Sequence, residues 1–396
     1  MQKYNLKNKY RVSVEQINEI KFDWDKYIIN NYHNPIFLKE FIIERSLFYK
    51  KNGWECINII FYYDDKVIGV IPLRYRRDFS HTYGKFLLQP HFSPDFIVSK
   101  GYEKKVVNSF LDIVLNKFNW YYLDLSMPIE SKIMNSIKDM LNKKRINYSM
   151  YEGFEHRIIK KDVPYDVYYN NLANRNKKEF RRIERKLKRL GERKVTLYEN
   201  GEINQKIMED INEIEKRSWK QSYRIRRSMS KDPDIEMIWN ASKNITFHEP
   251  SYKWSILFLE LDNKKIAYAI NLQLENYSTV IKTSFDNSYR KYSPGVQIVN
   301  EAVKELYSRE EVECIDFLTN LPFSRKWSDT VFSRKRIILS PYRFIPRLIG
   351  AFTQPIFKDY SIRDFLQTKY NMEMRINISE DISDYIRNQL WIQNGV

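Results

Sequence analysis

Apolar residues recur along this chain in two periods, and the switches between them mark its elements. Alternation rich in Val, Ile, Phe and Tyr predicts strands at Trp54 to Tyr63 and Lys66 to Arg74, hinged at Asp64-Asp65. The same pattern predicts strands at Trp254 to Leu261 and Ile266 to Glu275, hinged at Asp262-Asn263. Shorter strands are expected at 86–88, 96–98, 120–125, 195–198 and 313–318, with 148–159 extended. Helical spacing covers 23–52, broken at Asn34-Pro35, and returns at 103–118, 132–144, 203–220 and 235–245. Asp166 to Leu190 reads as one helix with a narrow stripe of Leu172, Phe180, Ile183, Leu187 and Leu190, stopped by Gly191.

One stretch organises the second half. Thr279 to Phe285 reads as a strand and Asp286 to Tyr292 as a polar turn, after which Ser293-Pro294-Gly295 opens a helix carrying Val296, Val299, Val303 and Leu306. A helix start leaves backbone N–H groups unpaired, here beside Arg290 and Lys291, which suits phosphate or another anion. The same pattern also fits a plain strand-to-helix connection. Both halves end in helix then strand, which suggests a structural duplication. The expected fold is α/β (α+β), with lobes at 1–160 and 161–345 and a helical extension at 346–396.

Composition narrows the partners. A net charge of +17 favours something acidic: a nucleotide, an acidic carrier protein, RNA or an anionic membrane surface. Lys177, Lys178, Arg181, Arg182, Arg185, Lys186, Lys188 and Arg189 concentrate that charge on the 166–190 helix, as a binding face or as a solvated one. Two distant cysteines and five scattered histidines give neither a disulfide framework nor a metal site. No run approaches the ~18 apolar residues of a membrane span, and the first residues lack the apolar core of a secretory signal, so a cytoplasmic protein is expected.

The stretches NLANRNKKEFRRIERKLKRLGE (171–192), KRSWK (216–220), KKIAYAINLQLENYSTVIKTSFDNSYRKYSPG (264–295) and ECIDFLTNLPFSRKWSD (313–329) resemble the GNAT-superfamily acyltransferases of the CelD-like, FemAB-related type. NPIFLKEF (34–41), VIGVIPLRYRRD (67–78) and HFSPDFIV (91–98) extend the resemblance into the first half. It implies two tandem GNAT-like lobes, each a mixed central sheet flanked by helices. The implied chemistry is acyl transfer from a thioester to an amine, less often a hydroxyl, of a small-molecule, sugar or peptide acceptor.

The donor's phosphates are then expected on Arg290, Lys291, Ser293, Gly295 and Val296. The glycine-rich cradle of the family is reduced to Gly295, so the donor stands between acyl-CoA, an acyl-phosphopantetheine carrier and, as in FemAB proteins, aminoacyl-tRNA. Asp286 and Asp316 are candidate bases, or turn formers at strand ends. Lys326 matches a basic position of the family, and Tyr289 and Tyr292 are candidate proton donors to the thiolate. Arg217, Ser218 and Trp219, with Trp219 alternatively in the core, and Arg181 and Arg185 are candidate substrate contacts. Direct attack by the amine needs no enzyme nucleophile, and no such motif is present. A non-catalytic basic binding module with the same fold is the remaining alternative.

Overall fold

The structure is a computed structural model that describes residues 2–6, 9–51, 54–77, 85–88, 96–117, 120–153, 155–220, 233–245 and 249–339. The chain begins with β1 (Gln2–Leu6) and β2 (Tyr10–Glu15), then α1 (Trp24–Asn31) and α2 (Lys39–Lys51). Between these helices the Asn34 side chain caps a single 3-10 turn at Pro35–Phe37. Next come β3 (Glu55–Tyr63), β4 (Lys66–Arg77), β5 (Lys85–Leu88), β6 (Ile97–Val98), α3 (Glu103–Lys117), β7 (Trp120–Pro128), α4 (Lys132–Lys143) and β8 (Tyr148–Glu152). The second half runs β9 (His156–Lys160), α5 (Tyr165–Asn171), α6 (Asn174–Lys188), β10 (Arg193–Glu199), α7 (Gln205–Arg217), α8 (Pro233–Ile245), β11 (Tyr252–Leu261), β12 (Lys264–Leu274) and β13 (Tyr277–Phe285). It continues through α9 (Pro294–Ser308), β14 (Cys314–Asp316), β15 (Val331–Phe332) and β16 (Arg334–Leu339).

Both hairpins turn where expected. Asp64, Asp65, Asp262 and Asn263 all take positive φ, as two-residue hairpin turns matched to strand twist require. The single helix expected at 166–190 is instead two, because Leu172 and Ala173 are extended. Aromatic packing favours the break: α5 stacks Tyr168 on Tyr307, while α6 seats Phe180 against Trp327. The expected tail at 346–396 lies outside the described residues.

The chain forms two compact units, Met1–Gln16 with Gly53–Phe154 and the residues from Ser333, and Ile17–Asn52 with Glu155–Phe332. These units divide the chain elsewhere than at the expected 160 and 345. Strand pairing is the reason: β9 leaves β8 and pairs with β14, whereas β16 pairs with β7 and β8. Residues 17–52 join the second unit, where Asn240 and Asn244 of α8 bond Glu44 and Glu40 of α2.

Each unit has one mixed sheet. The first, in the order β1-β2-β3-β4-β5-β7-β16-β8 with β6 on β4, has a parallel step from β5 to β7 bridged by α3. The second, β10-β11-β12-β13-β14-β9-β15, is an antiparallel meander followed by a parallel step from β13 to β14 bridged by α9. Both units thus repeat one order of pairing. In the second unit, Ile298 and Ala302 of α9 and Ile183 and Leu187 of α6 pack with Leu257, Leu259, Ala267 and Ala269 of the sheet. Burying each large side chain contributes about 1.5–3 kcal/mol, which fixes α9 against the strands that lead into it. No helix among the described residues is long and apolar enough to cross a membrane.

Candidate active site

The two parallel strands of the second unit do not stay together. β13 pairs with β12 along its length but with β14 only at Tyr277–Cys314, Ser278–Ile315 and Thr279–Asp316. Beyond Thr279 they part, leaving Val280 to Phe285 without a strand partner on that side among the described residues. A bulge in β13, where Ile281 is the extra residue opposite Ile270 and Asn271, bends the strand in this segment.

β13 ends at Asp286 and leads through a 3-10 turn, Asn287–Tyr292, into α9. Ser293 adopts the left-handed conformation (φ 54°, ψ 49°) and its carbonyl accepts from the N–H groups of Val296 and Gln297 at 3.1 and 3.3 Å. Pro294 has no N–H, so at this helix start the Gly295 N–H is the donor left without a partner among the described residues. The cradle is therefore narrower than the sequence suggested. Gly295 also serves packing, because a Cβ there would stand 2.8 Å from Cδ1 of Phe285, so its bareness seats α9 on β13. Arg290 and Lys291 are exposed and enter no ion pair with any described residue. Tyr289, Tyr292 and Val296 are half-buried against the sheet cluster, with Lys264 Nζ 5.2 Å from the Tyr289 ring centre.

Asp286 is sealed and fully engaged. It accepts from the Ser288 N–H (3.0 Å) and hydroxyl (2.6 Å), from Arg217 Nε (2.7 Å), and pairs with Lys264 (3.3 Å). Burial alone would raise its carboxyl, but these hydrogen bonds hold it below the usual carboxylate value. Asp286, expected as a base or a turn former, here caps the turn and anchors Arg217. Asp316 is also completely buried: it meets His156 Nδ1 and the Leu318 N–H, each at 2.7 Å, and the Tyr277 hydroxyl. Both carboxylates are thus engaged by donors on their own unit.

The other expected residues scatter. Lys326 is ion-paired with Glu179 of α6, and its carbonyl accepts from Asn176, so it ties the 319–327 loop to that helix. Arg217 closes α7, and the buried Ser218 hydroxyl returns to the Glu215 carbonyl at 2.9 Å. Ser218 is extended and turns Trp219 outward, 46% exposed, which corrects the alternative that placed it in the core. Arg181 and Arg185 are exposed on α6.

Sequence reasoning missed His156, Tyr277 and two buried lysines. Lys220 donates to the Thr283 carbonyl (3.0 Å), and Lys282 pairs with Asp234 of α8 (2.9 Å). Lys282 left a trace, a charge at an inward position of an otherwise apolar strand. A lone histidine in a strand leaves none.

Residues 174–323, from the first turn of α6 to just past β14, match the family described as the acetyltransferase (GNAT) domain. This segment carries a GNAT acetyltransferase domain, the domain of an acyltransferase. More widely, the fold of the chain has solved counterparts. It is similar to the crystal structure of FemX, with a TM-score of 0.56 and 12% identity over 89% of this chain and 100% of that one. A conserved protein of unknown function from Bacteroides thetaiotaomicron VPI-5482 is similar at TM-score 0.52 and 10% identity, over 80% and 95% of the two chains. A protein described as the C-terminal domain of a putative lysylphosphatidylglycerol synthetase from Agrobacterium fabrum gives 0.51 and 8%, over 83% and 94%. These are likenesses of fold. No curated protein matches the chain.

Proposed function

We propose that the protein is an N-acyltransferase that moves an acyl group from a thioester, either acyl-CoA or an acylated carrier protein, directly to an amine of a small molecule, sugar or peptide. The parting of β13 and β14 carries this reading. It leaves a backbone edge without a strand partner among the described residues, along which an extended donor arm would lie, and the start of α9, with the Gly295 N–H, Arg290 and Lys291, stands at the far end of that strand to receive the donor's phosphates. The neutral amine attacks the carbonyl, a tetrahedral oxyanion forms, and the thiol departs without a covalent enzyme intermediate.

The test is a panel of acetyl-CoA, longer acyl-CoAs and an acylated carrier protein against varied amines, followed by release of free thiol. Acceptor-dependent release supports the reading, and no release with any pair would sink it. A second reading, transfer from aminoacyl-tRNA, draws on the exposed cations of α6. It requires that ribonuclease abolish transfer and that binding fall steeply with salt. Both readings put the reaction in the cytoplasm.

A further inference from the structure

The last rung before β13 and β14 part joins Thr279 to Asp316, and a histidine from the next strand reaches the same carboxylate. Leu318 N–H and His156 Nδ1 both lie 2.7 Å from Asp316 Oδ1. At that distance two acceptors would repel, so Nδ1 carries the hydrogen and donates it. A neutral imidazole has one N–H, which leaves the lone pair on Nε2. Nε2 has no partner among the described residues, and it is not among the side-chain atoms sealed without one. The ring itself is held edge-on against Phe332, with centres 4.7 Å apart.

The groups around it keep their protons. Burial, reinforced by the neighbouring Asp316, pushes the Tyr277 phenol well above its ordinary value, so it remains a donor to that carboxylate. Burial likewise pushes the Cys314 thiol up to about 12. Of the charged neighbours in sequence, Arg157 bonds Asn320 Oδ1 and the Ser328 carbonyl, and Glu155 accepts from Asn320. Beside this group the Thr279 hydroxyl is fully buried with no partner, a second polar atom at the same rung that lacks a hydrogen bond.

We propose that His156 is the catalytic base of this acyltransferase and that Asp316 is the positioning residue that fixes its tautomer. The proposal rests on the acyl-transfer reading. The acceptor nitrogen forms its bond to the thioester carbon, the C–S bond breaks with its electron pair leaving on sulfur, and Nε2 takes the proton that the nitrogen sheds. The same proton then passes to the thiolate, so the base is regenerated within one turnover.

Two measurements on the full chain test this. In thiol release from acetyl-CoA with an amine acceptor, His156→Gln is expected to lower turnover by ~100- to 10,000-fold. It should also remove one limb of the pH dependence of kcat/KM, leaving the donor KM in place. Asp316→Asn should move that limb rather than abolish it, a result that a merely structural carboxylate would not give. Unchanged turnover and pH profile in His156→Gln would overturn the proposal.

The second measurement needs no substrate. Nitrogen-15 spectra of the imidazoles should show His156 as the Nδ1–H tautomer, shifting toward Nε2–H in Asp316→Asn. The signal is assigned by its loss in His156→Gln or, should that variant not fold, by replacing the other four of the five histidines. A wild-type Nε2–H tautomer would overturn the proposal even with turnover intact. Failure of every donor would instead sink the acyl-transfer reading, with the tautomer still deciding on the geometry.

Discussion

Arg217 Nε donates to Asp286 Oδ2 at 2.7 Å, joining the last residue of α7 to the residue that ends β13. With Lys264 at 3.3 Å and the two bonds from Ser288, this fixes where the chain turns toward α9. Asp286 sits below its usual pKa in the folded state. Its contribution is therefore complete above the unfolded value of ~3.9 and is lost as pH falls through the lower folded value. Asp286→Asn should cost about 1–3 kcal/mol at pH 7. Thermal midpoints of variant and wild type should converge in acid, and a gap that stays constant to pH 2 would contradict this account. Because Asp286 is already engaged, turnover should fall far less than in His156→Gln.

Gly295 makes a separate prediction, since its missing side chain faces Phe285 rather than open space. Gly295→Ala should destabilise by about 1–3 kcal/mol through overpacking. Phe285→Leu in the same chain should recover part of that loss, giving a favourable coupling in a double-mutant cycle. Additive effects would mean that the two residues do not meet. Any rise in donor KM caused by Gly295→Val must then be read against lost packing before it is assigned to a phosphate.

The contrast between these residues and His156 shows what the sequence could carry. Asp64-Asp65 and Asp262-Asn263 mark hairpins because a tight turn is a local event, decided by residues that tolerate positive φ. The strand–turn–helix at 279–306 was legible for the same reason. The units were not: β9 follows β8 with only Gly153 to Glu155 between them, yet it pairs in the other sheet, a choice made by partners as distant as Cys314 and Val331. The His156–Asp316–Tyr277 group spans 160 residues between its first two members and 39 between the last two, so no spacing rule could have assembled it. Asp286 and Asp316 were found as strand-end acids, but their roles depend on which donors surround them.

Arg290 and Lys291 are the cations at the start of α9 that have no ion-pair partner among the described residues. If they meet the donor's phosphates, replacing both by Ala should raise the donor KM about tenfold, equivalent to ~1.4 kcal/mol, with kcat and the acceptor KM little changed. The effect should shrink as salt rises, because both side chains lie in solvent. Steady-state kinetics at two ionic strengths provide the check, and an unchanged donor KM at low salt would remove these residues from the donor site.

The basic face of α6 offers the last prediction. Arg175, Lys178, Arg182, Arg185 and Arg189 are all exposed and follow one another at three or four residues, so they form a row along one side of the helix with steps of ~4.5–6 Å. None enters an ion pair with a described residue, whereas Lys188 is held by Glu184 at 2.9 Å. The opposite side is occupied by Phe180, Ile183 and Leu187, all buried, so the row can be altered without touching the core. Charge reversal at Lys178, Arg182 and Arg185 should leave stability within about 0.5 kcal/mol per site. It should slow association with an anionic donor, acylated carrier protein or aminoacyl-tRNA, and flatten the dependence of that rate on salt. Stopped-flow association measured from low to physiological salt decides the matter. An unchanged rate and slope with both donors would make the row a solvated face, and a loss confined to aminoacyl-tRNA would favour the RNA-borne donor over the thioester.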